Sequence, residues 1–146
     1  KYKTRQLFAV INGELYWLKE QGAQDHGRYD FLRDVQRLEQ FVSEQGNVTG
    51  YAILLTNDSS YWNPPLRNLT ADANFRIHEG RVVTGHLSWA PGTSSGTMKG
   101  RKNPLSIMGS YKLTWQDYYE VEANERVEGH GKFRYLIVEV KPNHAT

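Results

Sequence analysis

Three cations, Lys99, Arg101 and Lys102, fall within four residues directly behind a run, APGTSSGTM, whose glycines can turn backbone N–H groups toward a phosphate. A Walker loop needs Gly-Lys-Ser/Thr at a fixed offset from its first glycine and a helix immediately behind it. Gly92 and Gly96 meet neither requirement, so the stretch reads as a mobile loop. Its Lys99, Arg101 and Lys102 are then candidate contacts to a nucleic-acid backbone. Tyr61 and Trp62 stand in the polar run NDSSYWNPPLRNLTADAN and look exposed. Such rings offer a π face to a base or sugar, and equally a local plug under a long loop. His78 and His86 flank the Glu79-Gly80 turn, where two histidines without a matching carboxylate make an incomplete metal site. Asp30, Asp34 and Arg37 share one flank of a helix. The two carboxylates, one turn apart, repel unless a cation sits near, and Asp34 with Arg37 is the ordinary solution. Their other use would be to hold Mg²⁺, which demands rigid octahedral ligands.

The elements that must position these residues follow from the hydrophobic pattern. LFAVINGELYWL places Asn12-Gly13 between two apolar runs, the signature of a hairpin whose turn needs positive φ at both central residues. Phe31, Val35, Leu38 and Val42 recur at spacings of four, three and four, predicting an amphipathic helix from about Arg28 to Gln45. Asp25 is placed to cap or complement its N-terminal end, and Gly46 to stop it. GYAILLT, residues 50–56, is apolar without alternation and suits a strand covered on both faces. FRIHEGRVVTGHLSW predicts a second hairpin turning at Glu79-Gly80, and Tyr111, Leu113, Trp115, Tyr119 and Val121 alternate as one strand face would. FRYLIVEV closes the chain's last third as another strand after a polar connection at 123–131. The fold class predicted is α/β: a mixed sheet holding strands 1–4 and 50–56, joined through one main helix and extended by an antiparallel C-terminal part, all in one domain.

Composition limits the function. With 146 residues the chain is long enough to bury about 70% of its unfolded surface in one core. Lys+Arg 18 against Asp+Glu 16 leaves a formal charge of +2, so any basic surface is local. The absence of cysteine removes thiol catalysis and thiolate metal sites and fits a reducing, cytoplasmic setting. No apolar run approaches the roughly 20 residues of a membrane helix.

KYKT followed by a hairpin, then GAQDHGRYDFLRDVQRLE and GYAILLTNDSSYW, resembles a group of bacterial proteins related to restriction endonucleases, in the PD-(D/E)XK nuclease superfamily. The likeness runs over most of the chain. It implies a restriction endonuclease-like core in which an acidic residue on one strand and a Glu-x-Lys on the next bind a divalent metal and activate water. On that pattern Lys1 falls on the catalytic lysine, and the glutamate would stand two positions earlier. Lys3 is excluded, because its partner position is Lys1 itself. Gln24, Asp25, Arg28, Tyr29 and Asp34 match the helix start and would line the cleft or, for Asp25 above all, cap the helix.

The expectation is thus the C-terminal part of a Mg²⁺-dependent nuclease-like protein acting on DNA, lacking the acidic metal ligands and inactive alone. A lone lysine only assists, as a point charge that orients water or neutralises phosphate. Relatives of this kind often dimerise to cut two strands, which makes a homodimer one expected arrangement. The alternative is a non-catalytic module on the same scaffold that binds a protein or small ligand through a sheet face displaying Trp62, Trp89 and Trp115. A relative that kept the scaffold and lost the acids would behave in the same way.

Overall fold

The computed structural model describes residues 1–122 and 126–143. Its first hairpin, β2 (Leu7–Ile11) and β3 (Glu14–Leu18), turns at Asn12 and Gly13, whose φ values of 53° and 79° are those of a primed turn. Helix α1 (Gln24–Gln45) ends where Gly46 enters the left-handed region at φ 75° and donates its N–H to Val42 O at 2.9 Å. The helix begins four residues before the expected Arg28. Ala23 is its N-cap and offers no side-chain bond. Asp25 lies inside the first turn, where Oδ1 accepts the His26 N–H at 2.8 Å. It therefore serves the helix end from within, satisfying a donor that has no carbonyl partner.

The chain then crosses over. β1 (Tyr2–Lys3) lies parallel to β4 (Gly50–Thr56), with Tyr2 opposite Leu55 and Lys3 opposite Thr56. β9 (Lys132–Val140) runs antiparallel along the other side of β4, and β7 (Trp115–Glu120) follows it, giving the order β1-β4-β9-β7. β8 (Arg126–Gly129) joins the first hairpin as β3-β2-β8, and β5 (Val82–Leu87) pairs with β6 (Leu105–Lys112). The apolar stripe of α1, including Phe31, Leu32, Val35 and Val42, packs on Ala52 and Leu54 of β4 and on Leu136, Val138 and Val140 of β9. A smaller cluster of Leu7, Ala9 and Val121 joins the hairpin sheet to the main one. Glu39, buried in α1, anchors the helix to β6: its carboxylate accepts the N–H groups of Met108 and Gly109 and the Tyr111 hydroxyl at 2.7–2.9 Å.

Several expectations are corrected. There is no hairpin at Glu79-Gly80 with a strand at 75–78. The Arg81 guanidinium donates to the carbonyls of Arg76 and Asn74, so that segment turns around a side chain, and β5 pairs instead with β6 across residues 88–104. His86 consequently lies opposite Ser106, and the two histidines do not flank the turn of a hairpin. The run 111–121 is not one strand. It breaks after β6, where the Trp115 N–H donates to Glu79 Oε2 at 2.7 Å, and a bulge between Asp117 and Tyr119 interrupts β7. Tyr61 and Trp62 are buried, as are Trp89 and Trp115, so no sheet face displays these tryptophans. β4 is covered on one face only, with Tyr51 and Ile53 exposed on the other.

Candidate functional site

Residue 1 is seated by backbone pairing with β4: the Lys1 amine donates to Ile53 O at 2.7 Å, and Lys1 O accepts the Leu55 N–H at 3.1 Å. Strand alternation then turns the Lys1 side chain toward α1, and Nζ lies 2.8 Å from Asp34 Oδ2. Arg37, one turn further, reaches the other oxygen of Asp34 at 3.7 Å. A cavity of about 410 Å³ opens beside this pair, bordered by Lys1, Asp34, Arg37, Phe41, Tyr51 and Ile53. It lies where β4 runs past the first strand, whose backbone bonds reach no further along β4 than Ile53.

Asp30, one turn before Asp34, is held by a guanidinium fork. Arg101 Nε and its NH2 nitrogen donate to the two Asp30 oxygens at 2.8 and 2.7 Å, and Arg33 adds a contact at 3.1 Å. Burial alone would push the Asp30 pKa up; the hydrogen bonds and charge of Arg101, with Arg33 and Lys1 behind them, outweigh it and hold the carboxyl below its usual range. Along this flank of α1 four cations, Lys1, Arg33, Arg37 and Arg101, meet two carboxylates. At the cavity itself Lys1 and Arg37 meet Asp34 alone, and the one positive charge in surplus there favours an anion.

The other expected site residues lie elsewhere. Gln24 donates to Asp58 at 3.1 Å. Arg28 is buried under the 57–62 loop, with its guanidinium on Asp72 Oδ2 and Ser60 O at 3.0 Å each and 5.3 Å from the Tyr61 ring centre. Tyr29 stacks on Trp89 and donates to Asn103 O at 2.6 Å. Arg28 and Tyr29 are thus scaffold, and of the helix-start set only Asp34 reaches Lys1. Trp62 is 9% exposed, tilted against Trp115 with the Arg134 guanidinium 5.6 Å from its centre, so neither ring face is free to stack a base.

The glycine-rich loop from Ala90 to Pro104, expected to be mobile, is pinned at several points. Trp89 Nε1 donates to Arg101 O at 2.7 Å, His26 Nε2 lies 2.6 Å from Thr97 O, and Arg101 is locked on Asp30. Lys99 and Lys102 remain exposed.

Sequence reasoning missed Asn57, which fixes the end of β1. Buried at the end of β4, its side chain accepts the Arg5 N–H at 2.7 Å and donates to the carbonyls of Arg5 and His130 at 3.0 and 2.8 Å. The only trace of this in the sequence is a polar residue directly after an apolar strand. Among the described residues no group of three or more His, Asp or Glu could hold a metal ion, and no helix is long and apolar enough to cross a membrane. No family model, curated protein or solved structure matches the chain.

Proposed function

We propose that the chain belongs to a nuclease-like protein acting on DNA, with Lys1 as the assisting cation and the exposed Lys99 and Lys102 as backbone contacts. The observation that carries this reading is the parallel β1–α1–β4 crossover that delivers the Lys1 ammonium onto Asp34 at the mouth of a cavity with surplus positive charge. Asp34 orients the ammonium, and the ammonium's remaining donors can meet a phosphate oxygen or an attacking water. Mg²⁺ enters only with further carboxylates. The described residues do not form a metal site: Asp30 and Asp34 are already taken up by cations, so no catalytic step through a metal is drawn from them.

The compensation of both carboxylates favours a second reading, a binding module that shares the scaffold without chemistry. One titration and one cleavage assay separate the alternatives. In the nuclease-like reading, affinity for duplex DNA falls steeply between about 50 and 200 mM salt, with a log–log slope near −0.9 per phosphate contacted. A flat response overturns DNA binding. Cleavage is tested on the product of the whole reading frame: Mg²⁺-dependent cutting that EDTA and Lys1→Ala both abolish supports catalysis, and DNA binding without cutting leaves the module. The 146-residue chain alone is expected not to cut DNA.

A further inference from the structure

The face of the main sheet opposite α1 is built for contact rather than for water. Tyr51, Ile53 and Leu55 of β4 lie directly opposite Glu139, Ile137 and Tyr135 of β9, so these six side chains share one face. Tyr2 of β1 extends it beside Leu55, and Tyr118 of β7 meets Tyr135 edge-on at 6.3 Å. An antiparallel sheet that faces solvent alternates to polar residues, yet here Glu139 is the one charged group of those named. The hairpin sheet overhangs one end of the face, leaving a tyrosine-lined cleft of about 380 Å³ between them. Beyond that overhang Tyr51, Ile53 and Ile137 stay 56%, 49% and 45% exposed, while Tyr2, Tyr118 and Tyr119 stand at the cleft and are about half exposed or more.

We propose that this face is a homodimer interface, in which two copies pack sheet on sheet about a two-fold axis. Area is the first argument. Tyr2, Tyr51, Ile53, Tyr118, Tyr119 and Ile137 are each about half exposed. At about 150–250 Å² per large side chain, this leaves on the order of 500–700 Å², about half of it on the open face and the rest at the cleft, where a partner must reach in beside the hairpin. That approaches the roughly 800 Å² each partner contributes to a standard interface and sits at the upper end of monomer patches. Charge is the second. Glu139 is met within its own chain by Lys141 at 3.5 Å and by the Tyr51 hydroxyl at 3.2 Å, so apposed copies bring no uncompensated like charges together. Composition is the third, because tyrosine, apolar in its body and polar at its tip, suits a surface that is wet in one state and covered in another. A nucleic acid would need cations, and Lys1 points to the other side of the sheet, toward α1. The Ile53–Ile137 cross-strand pair lies within the exposed half, where its counterpart in the second copy can pack on it.

The test is the mass of the chain in solution. Sedimentation equilibrium at about 100 μM, well above a micromolar Kd, should give twice 16.8 kDa. Ile137→Lys should weaken association at least tenfold with an unchanged far-ultraviolet spectrum. Tyr118→Ser, at a site exposed enough to tolerate truncation, tests the same surface should Ile137→Lys not fold. A wild-type mass of 16.8 kDa at that concentration overturns the proposal and gives the face to another polypeptide or ligand. So does a dimer that folded variants leave intact. Neither result depends on whether the protein binds or cuts DNA.

Discussion

Gly27 stands in the first turn of α1, where a Cβ would overlap the Tyr61 hydroxyl and come within 3.1 and 3.3 Å of Tyr61 Cζ and Cε1. Elsewhere in a helix, Gly→Ala gains about 0.5–1 kcal/mol by reducing backbone freedom. Here the ring is only 1% exposed and lies beneath Arg28, so it has little room to swing away. Overpacking of this kind costs about 1–3 kcal/mol. The two effects together make Gly27→Ala destabilising by about 1–2 kcal/mol. Tyr61→Phe deletes the overlapped atom. That hydroxyl is buried without a hydrogen-bond partner, a state that costs about 1–3 kcal/mol, so its removal should be neutral or stabilising by about 1 kcal/mol. In the Tyr61→Phe background the new methyl meets only ring carbons that must yield by a few tenths of an ångström. The double-mutant cycle should therefore show a favourable coupling of about 1–2 kcal/mol. Urea denaturation measures it, with comparable m-values confirming that midpoint shifts report stability. An equal cost of Gly27→Ala in both backgrounds would refute the reasoning, because the penalty would then come from somewhere other than the hydroxyl.

Asn57→Ala should cost about 2–4 kcal/mol by stripping partners from the Arg5 and His130 backbone, measured as a lower urea midpoint. Burial, with Arg81, Arg76 and Arg28 nearby, holds the His78 pKa below its ordinary value, so the unfolded chain takes up the proton more readily. Stability should be whole well above about pH 6.5 and fall as the pH drops through that value, and His78→Gln should flatten that slope. If the DNA reading holds, Lys102→Ala should lower the salt slope by about one without changing stability, whereas Arg101→Ala, which frees Asp30, should lower stability first; anisotropy and urea titrations separate the two.

What the sequence disclosed about the fold was local. Asn12-Gly13, the four-three-four apolar spacing of α1, Gly46, and the runs at 50–56 and 133–140 act within a few residues of themselves, and each produced its predicted element. A mixed sheet holding 1–4 and 50–56 joined through the helix was also expected, and the structure makes that pair parallel, as a helix between two strands favours. The failures arose where a distant partner overrode the local pattern. Arg81 draws the carbonyls of Asn74 and Arg76 away from strand pairing, and Glu79 takes the Trp115 N–H in the middle of an alternating run. The Gly/Ser composition of 92–102 correctly marks a loop, but Trp89, His26 and Asp30, which pin it, lie outside that window.

The same contrast governs the candidate site. Arg101 pairs with Asp30 across 71 residues and Arg28 with Asp72 across 44. A cation cluster counted along the chain therefore overstates the charge available to a ligand. Of Lys99, Arg101 and Lys102, the central member already has its counter-ion, and only the outer two form no ion pair among the described residues. Lys1 is an intermediate case: Asp34 engages its ammonium but leaves it 28% exposed at a cavity edge. An ammonium so placed keeps donors for a second anion, whereas a forked guanidinium such as Arg101 has its strongest donors occupied. Whatever anion the protein receives on this side should meet Lys1 before Arg101. The apolar sheet face behind β4 has no surplus charge to offer such an anion, which is why the proposed contact between chains is placed there.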